Sequence, residues 1–104
     1  MHRIVSIPSV EEFLKLSEAK NGVMIDIRNV EDYKAKHLPR AEHINLMSQR
    51  FVEYFSDLKR DTDLFLYCTD GSRSKVAVRI LTEMGFHQLY NLQNGINGWD
   101  GTHL

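Results

Sequence analysis

Short apolar runs alternate with helical patterns along this 104-residue chain, and the alternation restricts the fold more than any other feature. Residues 23–27 and Leu64–Tyr67 are apolar on both faces, as is typical of strands that are covered on both sides. Residues 4–7 and 89–92 are predicted to be further strands. Because strands that alternate with helices form parallel sheets, the sequence predicts a three-layer α/β/α fold.

Capping residues and apolar spacing indicate where the helices lie. Ser9, with Glu12 three residues later, predicts the start of a first helix, and Asn29 is placed to cap a second, short one. Ile44 and Leu46 predict a third strand, which brings the sheet to five. Two further helices are predicted from apolar positions at helical spacing: Phe51, Tyr54, Phe55 and Leu58, and then Val76, Ala77, Ile80, Leu81 and Met84.

Composition excludes several classes of protein. The 13 basic and 14 acidic residues give a net charge of -1, which argues against binding nucleic acid through bulk charge. No apolar run approaches the roughly 20 residues that span a bilayer, and residues 1–8 are too weakly apolar for a signal peptide. One cysteine cannot form an internal disulfide. We therefore expect one cytoplasmic domain, residues 1–104, with neither a nucleic-acid nor a membrane partner.

Cys68, the only cysteine, follows the strand Leu64–Tyr67 and opens the loop of residues 68–74, where a helical pattern begins. Ligands of open parallel sheets bind beyond the carboxyl ends of the strands. The dipole and the unpaired N–H groups of a helix N-terminus favour negative charge there. The position predicts a reactive thiolate, with a small buried hydrophobe as the alternative.

The rest of this loop supplies groups that bind anions. Gly71 lets the chain curl so that successive N–H groups point inward, and Arg73 adds a permanent charge suited to oxyanions. Asp70 would repel anions and is expected to point to solvent, while Ser74 is expected to cap the next helix. The predicted substrate-binding residues around the nucleophile Cys68 are Thr69, Asp70, Gly71, Ser72, Arg73 and Ser74.

Asp26 and Arg28 lie at the end of a different predicted strand. They are predicted to form an ion pair that supports the site, in preference to an acid–base pair. His37 and His43 are six residues apart, which matches no zinc-site spacing, and no second cysteine is present. No metal site is therefore predicted.

Several motifs occur in one order along the chain. They are Asp-Ile-Arg-Asn-Val-Glu-Asp-Tyr at 26–33, His-Leu-Pro at 37–39 followed by Ala41 and Ile44-Asn45, Cys-Thr-Asp-Gly-Ser-Arg-Ser at 68–74, and Gly85-Phe86, Leu92, Gly95 and Trp99. Together they resemble the rhodanese family of sulfurtransferases, over nearly the whole chain from Val5 to Trp99. The family usually has glycine at positions 36, 40 and 94 and often arginine at 69, whereas this chain has Lys36, Arg40, Asn94 and Thr69.

The resemblance implies a rhodanese-like fold with a five-stranded parallel sheet, and a sulfurtransferase that needs no cofactor. The Cys68 thiolate would take sulfur from a small anionic donor such as thiosulfate and pass it to cyanide or a thiol, with a protein acceptor as an alternative. Lys36 and Arg40 would then lie near the site mouth, either favouring anions or simply solvated.

Three other functions compete with sulfur transfer. A cysteine phosphatase of the related type has five residues between cysteine and arginine, whereas four separate Cys68 from Arg73 here. A catalytically silent binding or regulatory module would keep the fold, although the retention of both residues argues against it. A disulfide oxidoreductase would need a second cysteine to resolve the mixed disulfide.

Overall fold

The computed structural model describes residues 3–97 and 99–101. Five strands form one parallel sheet, as predicted. In chain order the elements are β1 (Arg3–Ile7), α1 (Val10–Ala19), β2 (Val23–Asp26), α2 (Val30–Ala35), β3 (Glu42–His43), α3 (Phe51–Ser56), β4 (Leu64–Tyr67), α4 (Ser72–Glu83) and β5 (Gln88–Leu92). Across the sheet, the strands lie in the order β1-β5-β4-β2-β3.

Helices cover both faces of the sheet, so the three-layer prediction is confirmed. One apolar cluster packs α3 and α4 against the sheet through Phe51, Phe55, Ala77 and Leu81. The other cluster packs α1 through Phe13 and Leu14, with Tyr33 of α2 and Trp99 half-buried against it. β4 lies between β2 and β5, and all four of its residues are buried. Cys68 therefore follows one of the best-covered strands in the molecule.

Local capping explains where the first two helices begin. The Ser9 side chain accepts a hydrogen bond from the Glu12 N–H at 3.1 Å, and the Asn29 side chain accepts one from the Asp32 N–H at 2.8 Å. Each cap satisfies a backbone donor that has no partner within its helix. Both capping predictions are confirmed.

The third strand is shorter and earlier than predicted. The paired residues are Glu42 and His43, which lie before Ile44 and Leu46. Ile44 and Leu46 still donate backbone hydrogen bonds to Asp26 and Ile27, at 3.1 and 3.0 Å, and pack half-buried beneath the sheet edge. The apolar signal thus marked the segment that follows the edge strand.

In the part of the chain that the structure describes, no helix has the length and apolar character required to cross a membrane.

Candidate active site

The Cys68 thiol lies inside a turn whose backbone N–H groups point toward the sulfur. The residue follows β4 directly and is only 2% exposed. Its Sγ accepts a hydrogen bond from the Gly71 N–H at 3.1 Å and another from the Ser74 N–H at 3.3 Å. The two N–H groups converge on one sulfur, and the second belongs to the first turn of α4.

Gly71 is required for this turn. Its φ is +91°, in the left-handed region, and a Cβ at this position would lie 2.0 Å from the Gln93 carbonyl oxygen. No other residue combines that conformation with such a close approach to backbone. The glycine therefore allows the loop to close around Cys68.

The turn of residues 93–97 braces the loop from the other side. Ile96 N–H donates to the Cys68 carbonyl at 3.1 Å, and Asn97 N–H donates to the Thr69 carbonyl at 2.9 Å. Gly95, at φ +65°, approaches so closely that a Cβ would lie 2.2 Å from the Thr69 carbonyl oxygen. Sequence reasoning noted Gly95 only as part of a family pattern and missed this brace.

The prediction that Ser74 caps α4 is wrong. The helix begins at Ser72 with Gly71 in the capping position, and Ser74 is fully buried within the first turn. The helix thus begins three residues earlier than a Ser74 cap would give. The Asp70 carboxylate accepts the Ser72 N–H and Cys68 Sγ accepts the Ser74 N–H, so these two side chains satisfy unpaired backbone donors of the first turn.

The Ser74 hydroxyl points inward instead. Its Oγ lies 3.6 Å from Cys68 Sγ and is hydrogen bonded to the Asn91 side chain. Asn91 is only 4% exposed, on β5, and was not singled out from the sequence. The sequence feature that could have indicated this role is an amide side chain within the otherwise apolar run of residues 89–92.

Asp70 is exposed, as expected, and Ser72 holds it in place. The Ser72 N–H and hydroxyl donate to its Oδ1 at 3.0 and 2.6 Å. These hydrogen bonds, first the one from the hydroxyl, lower the pKa of the Asp70 carboxyl, and the charge of Arg73 adds to the effect. Asp70 is therefore an anion at neutral pH.

A cavity of about 260 Å³ opens over the thiol. Its lining is mostly polar and comes from the ends of β2 and β4 and from the helices that follow: Arg28, Asn29, Asp32, Cys68, Thr69, Asp70, Ser72 and Arg73. Asn29 and Asp32 were not among the predicted site residues. Lys36 and Arg40 do not line the cavity, because Lys36 Nζ donates to the Trp99 carbonyl at 2.6 Å and Arg40 pairs with Glu18 at 3.8 Å.

Asp26 and Arg28 form a buried ion pair beside this cavity. Arg28 Nη2 lies 2.8 Å from Asp26 Oδ2, which also accepts a hydrogen bond from the Tyr67 hydroxyl at 2.8 Å. The same guanidinium also donates a hydrogen bond to the Lys36 carbonyl. Burial opposes the Arg28 charge, but the hydrogen bonds and charge of Asp26 outweigh it and raise the pKa of the guanidinium. The pair anchors one wall of the cavity.

No group of three or more His, Cys, Asp or Glu side chains with metal-binding geometry occurs within residues 3–97 and 99–101.

A sequence model of the rhodanese-like domain matches residues 9–102. The chain belongs to the rhodanese-like domain family. The fold agrees with that of a rhodanese-like domain protein from Staphylococcus aureus, with a TM-score of 0.78 over 96% of this chain and 95% of that one, at 24% identity.

Several proteins that resemble this chain at low sequence identity are named as sulfurtransferases or sulfur carriers. The thiosulfate sulfurtransferase GlpE of Shewanella oneidensis is 29% identical over 91 residues, 88% of each chain. The proposed sulfur carrier protein YrkF of Bacillus subtilis is 28% identical over 99 residues, and the chain spans 52% of its length. These similarities support a sulfurtransferase in general terms.

Proposed function

We propose that this rhodanese-like chain is a sulfurtransferase whose nucleophile and sulfur carrier is Cys68. The observation that carries the proposal is the pair of N–H groups, from Gly71 and Ser74, that converge on Sγ within a closed loop. A thiolate and a persulfide are both anions, so the same donors stabilise the sulfur before and after loading.

In the loading step, the Cys68 thiolate attacks the outer sulfur of a sulfane donor. With thiosulfate, a bond forms from Sγ to that sulfur, while the donor's S–S bond breaks and sulfite leaves with the electron pair. The charge is conserved, and Cys68 becomes a persulfide anion. In the unloading step, an acceptor such as cyanide or a thiolate attacks the terminal sulfur, and the Cys68 thiolate leaves.

The other residues around Cys68 have separate proposed roles. Arg73 is the cation available to an anionic donor, since Arg28 is engaged by Asp26. Ser72 fixes the Asp70 carboxylate, and Ser74 supplies an inward hydroxyl beside Sγ. Thr69 lines the cavity and holds the loop through its carbonyl. The proposed sulfur transfer uses neither a metal nor an organic cofactor. A cytoplasmic location is also part of the proposal.

Intact mass spectrometry tests this function directly because the chain has a single cysteine. After prolonged incubation with thiosulfate or an organic persulfide, the protein is expected to gain one sulfur atom, which cyanide removes as thiocyanate. The Cys68→Ser variant, folded by circular dichroism, should gain none. If no donor loads the parent protein, it is a silent binding module.

A phosphatase is the weaker alternative. Four residues separate Cys68 from Arg73, one fewer than phosphatases of the related type use to surround a phosphate. Hydrolysis of an aryl phosphate that requires Cys68 would reverse this preference.

A further inference from the structure

The lining of the cavity over Cys68 has no excess of basic side chains. Its two guanidinium groups are Arg28 and Arg73, and its two carboxylates are Asp32 and Asp70. Arg28 already forms an ion pair with the buried Asp26, and Asp32 lies close enough to help raise the pKa of this guanidinium. Two carboxylates and two guanidinium groups line the cavity, and the buried Asp26 behind its wall brings the formal charge of the whole group to one net negative charge.

The basic residues that would reverse this balance are engaged elsewhere. Lys36 Nζ is bound to the Trp99 carbonyl and lies 5.7 Å from the centre of the Trp99 ring. Arg40 is near Glu18 of α1, and neither basic residue lines the cavity. A doubly charged anion such as thiosulfate would therefore meet one lining guanidinium, Arg73, that has no ion pair within 4 Å among the described residues, and two exposed carboxylates would oppose it.

The carboxylates lie within reach of any bound donor. A sphere of 260 Å³ is about 8 Å across, so a molecule inside the cavity lies within several ångströms of the lining charges. Asp32 makes no ion pair within 4 Å among the residues that the structure describes. Asp70 uses Oδ1 for Ser72, and its Oδ2 accepts no hydrogen bond from those residues.

We propose that Asp32 and Asp70 determine donor specificity, and that the preferred donor is a small organic persulfide bearing an ammonium group near its sulfane sulfur. This assignment rests on the sulfurtransferase function proposed above. The ammonium group interacts with the two carboxylates while the terminal sulfur faces Sγ.

The chemistry differs from that of thiosulfate only in the leaving group. Cys68 Sγ forms a bond to the terminal sulfur of the donor persulfide, and the donor's S–S bond breaks. An organic thiolate leaves with the electron pair and takes a proton from water. The step moves one sulfur atom with no net oxidation, and the ammonium group is unchanged.

Three persulfides of similar size separate charge from chemistry: those of cysteamine, 2-mercaptoethanol and 3-mercaptopropionate, which end in an ammonium, a hydroxyl and a carboxylate. Their leaving thiols differ in pKa, so the informative quantity is how each variant changes the ratio of kcat/KM values. The variants are Asp70→Asn, Asp32→Asn and the double variant. Glu83→Gln is the matched control, since it removes an exposed carboxylate at the opposite end of α4.

The informative ratio is kcat/KM for the carboxylate donor divided by kcat/KM for the ammonium donor, and each asparagine substitution is expected to raise it roughly three- to tenfold. The change in kcat/KM for the hydroxyl donor should lie between the changes for the two charged donors. Thiosulfate should gain at least as much, because it carries two charges. The effect should shrink in 0.5 M salt, where charges are screened over about 4 Å. Glu83→Gln should leave every ratio unchanged.

Equal changes for all donors would overturn the proposal, because they would mean that the carboxylates act on the thiolate and not on the donor. Unchanged ratios in the double variant would also overturn it. Failure of the proposed function looks different, since no donor would then place sulfur on Cys68 of the parent protein.

Discussion

Replacement of Gly95 by alanine tests whether the turn of residues 93–97 holds the loop of residues 68–74. In the folded chain, the new Cβ would lie 2.2 Å from the Thr69 carbonyl oxygen and 2.5 Å from the Asp70 nitrogen. Both are backbone atoms, which cannot rotate away. The Thr69–Asp70 peptide must therefore shift, and the hydrogen bonds that this turn makes with the loop must lengthen.

Two costs contribute to the expected loss of stability. An alanine at φ +65° costs about 1–2 kcal/mol in backbone strain. Relief of the contact with Thr69 adds about 1–3 kcal/mol, as for other overpacked sites. The sum is about 2–5 kcal/mol. Gly85→Ala is the matched control, because Gly85 has φ +102° but the atoms nearest to its Cβ would belong to the flexible Arg60 side chain, at 3.7 Å.

Urea unfolding and sulfur loading report the two consequences separately. The free energy of unfolding should fall by about 1–2 kcal/mol in Gly85→Ala and by clearly more in Gly95→Ala. Under conditions where both variants are folded, only Gly95→Ala should load sulfur on Cys68 more slowly than the parent. If the two variants unfold at the same urea concentration and load at the parent rate, the brace does not position the loop.

Two further predictions concern the buried polar groups. Asp26→Ala should lower the free energy of unfolding by about 3–5 kcal/mol in urea, because Arg28 would be left as a buried, uncompensated charge, and a loss below 1 kcal/mol would contradict that view. Burial, aided by Asp63, raises the pKa of Tyr90 to about 12 from 10.0. Between these two pH values, the Tyr90 hydroxyl keeps its proton in the folded state and loses it in the unfolded state. The urea midpoint should therefore fall as pH rises from 10 to 12, and less steeply in Tyr90→Phe.

Local signals were sufficient for most of the fold. The apolar runs of β2 and β4 and the capping residues Ser9 and Asn29 act within a few residues of the chain, so the sequence alone located these elements. β3 was misplaced because Glu42 and His43 are polar and pair along only one edge. An edge strand of two residues leaves no periodic pattern to read.

The site was predictable only where it depends on neighbours in sequence. The position of Cys68 at a strand end and the turn at Gly71 followed from the residues themselves. The start of α4 did not, because a thiol sulfur and the Asp70 carboxylate replace the serine cap. Two sets of contacts could not be predicted either: that of Ser74 with Asn91 and those of Thr69 with the turn of residues 93–97. Each joins segments that meet only in the folded sheet.

The position of β5 sets the order in which the site can be assembled. This strand pairs with β1 on one side and β4 on the other, so the first strand of the sheet has no neighbour until the last one is in place. During synthesis, the loop that carries Cys68 leaves the ribosome before β5 and the turn that closes over it. Such long-range pairing forms late in folding. We therefore expect the loop around Cys68 to complete its hydrogen bonds at the end of folding, once β5 has paired with β1 and β4.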